Sequence, residues 1–364
     1  MSSRTLHIDR FFLLIVSVLT LAGFVIFLSA SLGLLTQNGA NFGTVAAKQA
    51  ISLGIGIVVF YVFSKIKYIY FKKFAFFILL IAVGVNLLLF VPKLALFHGG
   101  ASRWLNVGML SFQPSELLKI AFIIYAAAWI QHARDKIGQM RFGLVPYLAI
   151  MAVLGALLLI QRDTDTLVII AFTGIIMFVV AGMPIKHLVL ACLILAAVVA
   201  GVIFVRPYAL QRVETFLNRS SDTQGAGYQI NQSLIAIGSG EVVGRGFGQS
   251  IQKFGYLPQP TDDSIFAVEA EEFGFVGSAS LIFLYILFAA SAFRIGSKAP
   301  DTFASFVAIG FSILVITESF LNIAAMLGLV PLSGVPLLFV SHGGTALIIT
   351  LSAAGIVANI SKYS

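Results

Sequence analysis

Five of the fifteen acidic residues in this 364-residue chain fall within eleven positions: Asp262, Asp263, Glu269, Glu271 and Glu272. They stand where a long polar segment runs into an apolar one. Carboxylates near hydrocarbon cost about 3 kcal/mol each on insertion scales, so such a cluster marks a candidate site. Asp262 and Asp263 precede an apolar helix whose start the sequence predicts near Ser264. A helix N-terminus favours an ionised carboxylate, which could serve as a base. The simpler reading, which suits Asp262 best, is an ordinary helix cap. Glu269, Glu271 and Glu272 cannot all face lipid, so at least one points into a polar cavity or pairs with a cation. Ala267, Ala270, Gly274 and Gly277 form a stripe of small residues against which another helix is expected to pack closely.

Three further groups could carry chemistry. In Phe112-Gln-Pro-Ser-Glu-Leu-Leu-Lys119, Pro114 fits the first position of a helix, with Glu116 in its first turn. Glu116 and Lys119 are three apart and share a face, so they either satisfy each other or present a cation to a ligand. Arg103 and Trp104, in Gly100-Ala-Ser-Arg-Trp-Leu105, precede the same helix end; an arginine with a nearby lysine there makes a basic pocket suited to phosphate. Gln161-Arg-Asp-Thr-Asp-Thr166 lies between two apolar segments, and a tight turn accounts for Asp165 and Thr166. Pro331 to Thr345, with its prolines and glycines, breaks a helix at membrane depth. Irregular backbone is tolerated there only where it is buried in protein or lines a cavity.

The elements that must position these groups are membrane helices. The chain is 59% hydrophobic and 10% charged, against about 25% charged in soluble domains. Ten apolar segments, at about 11–35, 45–64, 74–95, 114–131, 143–160, 166–182, 187–205, 265–292, 303–328 and 340–360, are long enough to be read as spans. The expected fold is therefore an all-α polytopic membrane protein, one domain over 1–364, with a large extracytoplasmic loop at about 206–264 between the seventh and eighth of ten transmembrane helices. Arg4, Arg10, Lys65, Lys67, Lys72, Lys73, Arg134, Lys136, Arg141, Lys186, Arg294, Lys298 and Lys362 fall in one set of tails and short loops. The opposite set holds only Lys93, Arg103 and Arg162, with Lys48 near that end of the second span. The positive-inside rule then places both termini in the cytoplasm, and all four candidate groups face outward. The net charge of +8 is thus an orientation signal and not one for nucleic acid.

Within the long loop, the apolar spacing of Leu210, Val213 and Leu217 predicts an amphipathic helix on the outer leaflet. Arg219 and Asp222 belong to its near-neutral charge balance. The single cysteine, Cys192, excludes a disulfide framework, and the five scattered histidines show no metal-ligand spacing. No cleavable signal peptide is expected, because the first apolar stretch is too long.

At this point the residues resemble a known family. Leu257-Pro258, Asp263-Ser-Ile-Phe-Ala-Val268 and Glu271-Glu-Phe-Gly274 are similar to the signature of the shape, elongation, division and sporulation (SEDS) proteins, the group of FtsW, RodA and SpoVE. Ser29-Ala-Ser31, Gly100 to Trp104, Gln113-Pro-Ser-Glu116, Tyr228-Gln229, Gln232-Ser-Leu-Ile-Ala-Ile-Gly238, Gly246-Phe-Gly248 and Phe339-Val-Ser-His-Gly-Gly344 match in the same order along nearly the whole chain. The resemblance implies a ten-span bundle in the bacterial cytoplasmic membrane. It implies polymerisation of lipid II, an undecaprenyl-diphosphate-linked disaccharide-peptide, beside a class B penicillin-binding protein transpeptidase. It maps the family's essential loop aspartate onto Asp263. It makes Arg103, Trp104, Gln113, Ser115, Glu116, Lys119, Gln229, Gln232, Ser233, Glu271, Glu272, Ser341 and His342 candidates for holding substrate.

The chain also departs from the pattern. Thr261-Asp262-Asp263-Ser264 stands for the usual His-Thr-Asp-Phe, Gln161-Arg-Asp-Thr-Asp-Thr166 for Gln-Pro-Asp-Leu-Gly-Thr, and His342 for a tyrosine. The chemistry needs a base for the acceptor hydroxyl, for which Asp263 is the candidate, and cations for the departing diphosphate, for which Arg103 and Lys119 are candidates, with Glu116 orienting the lysine. The sequence shows no bound metal or other cofactor, although a divalent cation such as Mg2+ or Mn2+ at a diphosphate suits the chemistry. A lipid II flippase, which would need polar groups such as Glu318 and Asn322 along a path, and a non-catalytic scaffold for a transpeptidase remain alternatives at this stage.

Overall fold

The computed structural model of the chain describes residues 7–36, 42–91, 93–98, 101–108, 110–218 and 225–364. Arg4, Gly100, Arg219 and Asp222 lie outside them. The described residues form thirteen α-helices: α1 (Arg10–Ser31), α2 (Phe42–Lys65), α3 (Tyr68–Lys73), α4 (Ala75–Leu87), α5 (Pro114–His132), α6 (Leu144–Ile160), α7 (Thr164–Val180), α8 (Ile185–Val205), α9 (Pro207–Leu217), α10 (Ala226–Ser239), α11 (Ile265–Ser297), α12 (Thr302–Met326) and α13 (Gly344–Ile360). Each of the ten apolar segments forms a helix. By length and composition, α1, α2, α8, α11 and α12 can each cross a membrane, while α4, α6, α7 and α13 are shorter apolar helices.

Packing shows which solvent the bundle is built for. In the apolar stretch of α12, 67% of residues are buried, against 6% in α8, although α8 is the more apolar of the two. Apolar residues turned outward along a whole helix are stable in hydrocarbon, not in water. The centre of the bundle is α12, with α5, α7 and α11 against it; α13 lies along α2. Helix starts follow local chemistry. Asp9 and Asp301 accept from the backbone N–H of Phe12 at 2.9 Å and of Ala304 at 2.8 Å, capping α1 and α12. Pro114 and Pro207 begin α5 and α9, where a missing N–H costs nothing.

Both chain ends share one end of the bundle. The backbone N–H of Asp9 donates to Ser361 Oγ at 3.0 Å, and Arg294 pairs with Asp9 at 2.6 Å. Lys72 faces Asp301 there, and Lys362 Nζ donates to the carbonyl of Ser64 at 2.5 Å.

Three features differ from the sequence reading. Residues 95–112, read as span end and loop, form an antiparallel sheet, β1 (Ala95–His98), β2 (Ala101–Val107) and β3 (Leu110–Phe112), with Leu96 opposite Trp104 and Leu105 opposite Phe112. A sheet pairs the backbone polar groups of this segment next to the apolar bundle. The predicted amphipathic helix exists as α9, and a second helix, α10, joins it in the long loop.

The small-residue stripe of α11 receives the end of α10, where a side chain at Gly240 would meet the carbonyl of Ala270 at 2.0 Å, and also a turn of the loop. Gly274 breaks the helix at φ 64°, and the N–H groups of Arg245 and Gly246 donate to the carbonyls of Glu271 and Glu272 at 3.0 and 2.9 Å. A side chain at Gly244 would meet Glu272 O at 2.1 Å, so only glycine allows this approach.

Candidate functional site

A cavity of about 730 Å3 opens among the starts of α2, α5, α11 and α13 and the sheet, a size typical of ligand sites. Six of the residues singled out from sequence line it: Arg103, Trp104, Gln113, Asp262, Asp263 and His342. Lys48 and Gln49, from the first turns of α2, line it as well. Neither was read from sequence as a site residue, because Lys48 served only as an orientation charge.

The turn carrying the two aspartates is held by backbone contacts. Asn322 Nδ2 donates to the carbonyls of Asp263 and Val335, each at 2.8 Å. Ser341 Oγ donates to the carbonyl of Asp262 at 2.7 Å, and the N–H of His342 donates to the carbonyl of Thr261 at 2.7 Å. The irregular 327–343 segment therefore serves as a clamp: its Leu338, Phe339 and Val340 are buried, and Tyr285 donates to the Leu338 carbonyl at 2.5 Å. Asp262 and Asp263 are not helix caps. Ser264 holds the cap position of α11, and no side chain bonds to that helix start. Their carboxylates face the cavity instead, and Asp262 pairs with His342 Nδ1 at 3.3 Å.

Burial pushes the Asp263 carboxyl up to about 7, the Asp262 charge adds to the rise, Arg212 offsets part of it, Asp165 adds a little and Arg103 offsets a little. A carboxyl poised near neutrality is suited to taking a proton at physiological pH. Arg103 donates from Nη2 to the carbonyl of Arg162, while its Nε is buried with no partner among the described residues. A buried guanidinium N–H without an acceptor fits a site completed by an anionic ligand. The pair of Arg212 with Asp165, at 3.1 Å, ties α9 to the start of α7 beside this turn. Asp163 caps α7, accepting from Thr166 N at 3.3 Å.

Other residues read as site candidates lie around the cavity without lining it. Lys119 is buried, and its ammonium is surrounded by carboxylate oxygens: Glu116 Oε2 at 2.9 Å and both oxygens of Glu318 at 2.6 Å. All three donors of an ammonium are engaged by such an arrangement, so Lys119 and Glu116 form a strut from α5 to α12. Ser115 accepts from Gln113 Nε2 at 3.1 Å and supports that cavity residue. Gln229 donates to Ser264 Oγ at 2.9 Å, and Ser233, fully buried, donates to the Gln229 carbonyl at 2.8 Å. Gln232 is half-buried on α10, and Ser341 acts through the clamp already described.

Glu271 and Glu272 hold the loop. Glu272 pairs with the buried Lys253 at 2.6 Å and accepts from Ser29 Oγ at 2.5 Å; Glu271 accepts from Ser250 Oγ at 2.5 Å and from the N–H groups of Ile251 and Gln252 at 3.0 and 3.2 Å. Glu269 is buried and accepts from Ser278 Oγ at 2.8 Å.

Among the described residues no group of three or more His, Cys, Asp or Glu side chains has metal-binding geometry. The hard donors the cavity offers to a divalent ion such as Mg2+ or Mn2+ are the carboxylates of Asp262 and Asp263. Magnesium commonly binds through one or two carboxylates when substrate phosphates complete its shell.

Comparison with known proteins identifies the family and the fold. The FtsW/RodA/SpoVE family, described as cell cycle protein, matches residues 9–364. Stage V sporulation protein E of Bacillus subtilis (strain 168) is 35% identical over 319 residues, covering 88% of this chain and 87% of its own. A probable peptidoglycan glycosyltransferase FtsW of Geobacter sp. (strain M18) is 33% identical over 353 residues, covering 97% and 96%. Among solved structures, a chain of a peptidoglycan synthase complex described as coordinating polymerization and crosslinking superposes with TM-score 0.79 at 24% identity over 97% of both chains. The rod shape determining protein RodA of Thermus thermophilus gives 0.72 at 23% identity, over 97% of this chain and 96% of its own.

Proposed function

The chain belongs to the FtsW/RodA/SpoVE family, and from that premise we propose that it is a peptidoglycan glycosyltransferase that polymerises lipid II at the outer face of the bacterial cytoplasmic membrane, in division or elongation. The observation that carries the reading is one cavity lined by Asp263, with its carboxyl near neutrality, and by the cations of Arg103 and Lys48. Lipid II presents a sugar on an undecaprenyl diphosphate. The acceptor 4-hydroxyl oxygen bonds to the anomeric carbon, its proton passes to Asp263, and the bond to the diphosphate breaks with both electrons leaving on the phosphate. A positioned base contributes about 10²–10⁴-fold to such a step. Fixed cations stabilise the charge that develops on the leaving group. Arg103 and Lys48 serve that role in the cavity wall, while Lys119 holds the helices beneath it. Inversion requires one base and an activated leaving group, unlike glycosidases with their two carboxylates.

Both termini are read as cytoplasmic from the basic residues of their tails and short loops, a reading supported by the shared location of the chain ends and by the cavity lying at the opposite helix ends. Of the polar groups that a transport path would use, Glu318 is engaged by Lys119, and the Nδ2 of Asn322 by two carbonyls. A class B penicillin-binding protein transpeptidase is the partner that would crosslink the product. The test is lipid II polymerisation by the purified full chain with that partner, comparing wild type with Asp263→Asn and Asp262→Ala. Glycan strands made at the wild-type rate by folded Asp263→Asn would refute the base assignment.

A further inference from the structure

Among the described residues four besides glycines have positive φ: Arg162, Glu241, Gln259 and Phe339. Of these, Gln259 alone lines the cavity. Its φ is 52°, in the left-handed region that glycine takes freely and that other residues adopt under constraint. Pro260 follows it, and a residue before proline is biased toward extended backbone. Two influences therefore oppose the conformation, and contacts of its carbonyl hold it. The N–H groups of Asp262 and Ser264 both donate to Gln259 O, at 3.1 and 3.2 Å. Those bonds need the backbone at position 259 and not the side chain, so glycine would serve the turn with less strain. What glycine lacks is the amide. The Gln259 side chain is exposed in the cavity wall, with no hydrogen-bond partner among the described residues. The other two glutamines of that wall are tied, Gln49 Nε2 to the Ser341 carbonyl at 3.4 Å and Gln113 Nε2 to Ser115 Oγ at 3.1 Å.

A strained backbone that presents an unbonded polar side chain to a cavity marks a residue kept for a ligand. A primary amide both donates and accepts, so it matches a group that does the same, an acetamido or a hydroxyl. A phosphate oxygen would use only its donor. Charge divides the cavity in the same sense. Gln259 stands on the turn of Asp262 and Asp263, while the cations Arg103 and Lys48 come from β2 and α2. A diphosphate is drawn to the cations and repelled by the carboxylates, which leaves the neutral saccharide against the turn. We propose that Gln259 is a specificity-determining residue, whose amide hydrogen-bonds an acetamido or hydroxyl group of the saccharide lying beside Asp263. This rests on the reading of the cavity as a lipid II site. Gln259 takes no part in proton transfer; it selects and holds the sugar.

The experiment is steady-state lipid II polymerisation by the full chain with its transpeptidase partner, reading kcat and KM separately, beside a thermal melt in detergent. Gln259→Gly keeps the carbonyl and suits the backbone, so its melting temperature stays close to wild type. Loss of one neutral hydrogen bond lowers kcat/KM by about three- to tenfold. The loss falls on KM, because the bond is made equally in the ground and transition states. Gln259→Asn keeps an amide and tolerates positive φ, so it loses less than Gln259→Gly. Gln259→Leu keeps the bulk without the hydrogen bond and loses as much. Lipid II without its N-acetyl groups identifies the bonded group. An effect of Gln259→Gly confined to the acetylated substrate assigns the acetamido, and an equal effect on both substrates assigns a hydroxyl. Wild-type kcat and KM in folded Gln259→Gly would overturn the proposal, as would a fall in kcat with KM unchanged. A lower melting temperature with activity in proportion to the folded fraction would make the side chain structural and also overturn it. Wild-type protein that makes no glycan from lipid II would remove the underlying reading and the proposal with it, an outcome seen before any variant is compared.

Discussion

Asp262 and Asp263 sit on a turn, and Glu271 and Glu272 on the helix that follows; the second of each pair lie nine positions apart, yet their surroundings are opposite. The glutamates are closed off. Between them they meet Lys253, Arg245, Ser29, Ser250 and three backbone N–H groups, and both are buried. The aspartates are fixed through their carbonyls, which leaves the carboxylates to the cavity. Acidic residues at a membrane edge thus divide by which of their atoms the protein satisfies. Where the side-chain oxygens are bonded, the residue holds structure. Where the backbone is bonded and the side chain is left to a cavity, the residue is available for chemistry.

The sharpest way to break this contrast is to neutralise one member of each pair. Asp263→Asn should lower polymerisation by about 10²–10⁴-fold with little change in melting temperature, measured as glycan product per folded molecule. Glu272→Ala should do the reverse. It leaves the Lys253 ammonium buried without its partner, which costs about 3–5 kcal/mol. The expected result is a marked drop in melting temperature and yield, with activity falling in proportion to the folded fraction. If Glu272→Ala folds normally and loses turnover, the glutamate pair belongs to the reacting site and the division fails.

The same contrast explains what could be read without a structure. Continuous apolar runs betray helices because each one must cover hydrocarbon, so all ten helical segments were visible, and with them the gathering of Arg103, Gln113, Asp263 and His342 at one end of the bundle. Partners distant in the chain were not. Lys119 could be read as a cation for a ligand because Glu318, which occupies its ammonium, lies 199 residues away. Lys253 is one of several charges in a near-neutral loop until its complete burial is seen. Lys48 looked like a topological charge, since a lysine at a helix start has the same spelling whether it faces headgroups or a cavity. The sheet at 95–112 was missed because its strands are short and one of them, Ala95–His98, continues an apolar run.

Lys48 tests the cavity side of the comparison at a smaller scale. Lys48→Met keeps the length of the side chain and removes its charge. If the lysine meets the departing diphosphate, kcat/KM should fall by about 10²-fold, as for loss of one group that stabilises developing charge. Lys119→Met should instead register first as lost stability, because it leaves Glu116 and Glu318 facing each other without a counter-charge.

The smallest expected effect needs no substitution. Asp263 acts as a base only when ionised, and its carboxyl is pushed up to about 7 by burial and by Asp262. Its ionised fraction therefore falls as pH drops through neutrality, by about tenfold between pH 8 and pH 6. The polymerisation rate of the wild-type protein should follow, provided the melting temperature is unchanged over that range. A carboxylate of ordinary acidity would remain ionised throughout and leave the rate flat. A flat profile would thus show that the turn leaves Asp263 as well solvated as any surface acid. The aspartates and glutamates would then differ only in which groups they bond, and not in readiness to exchange a proton.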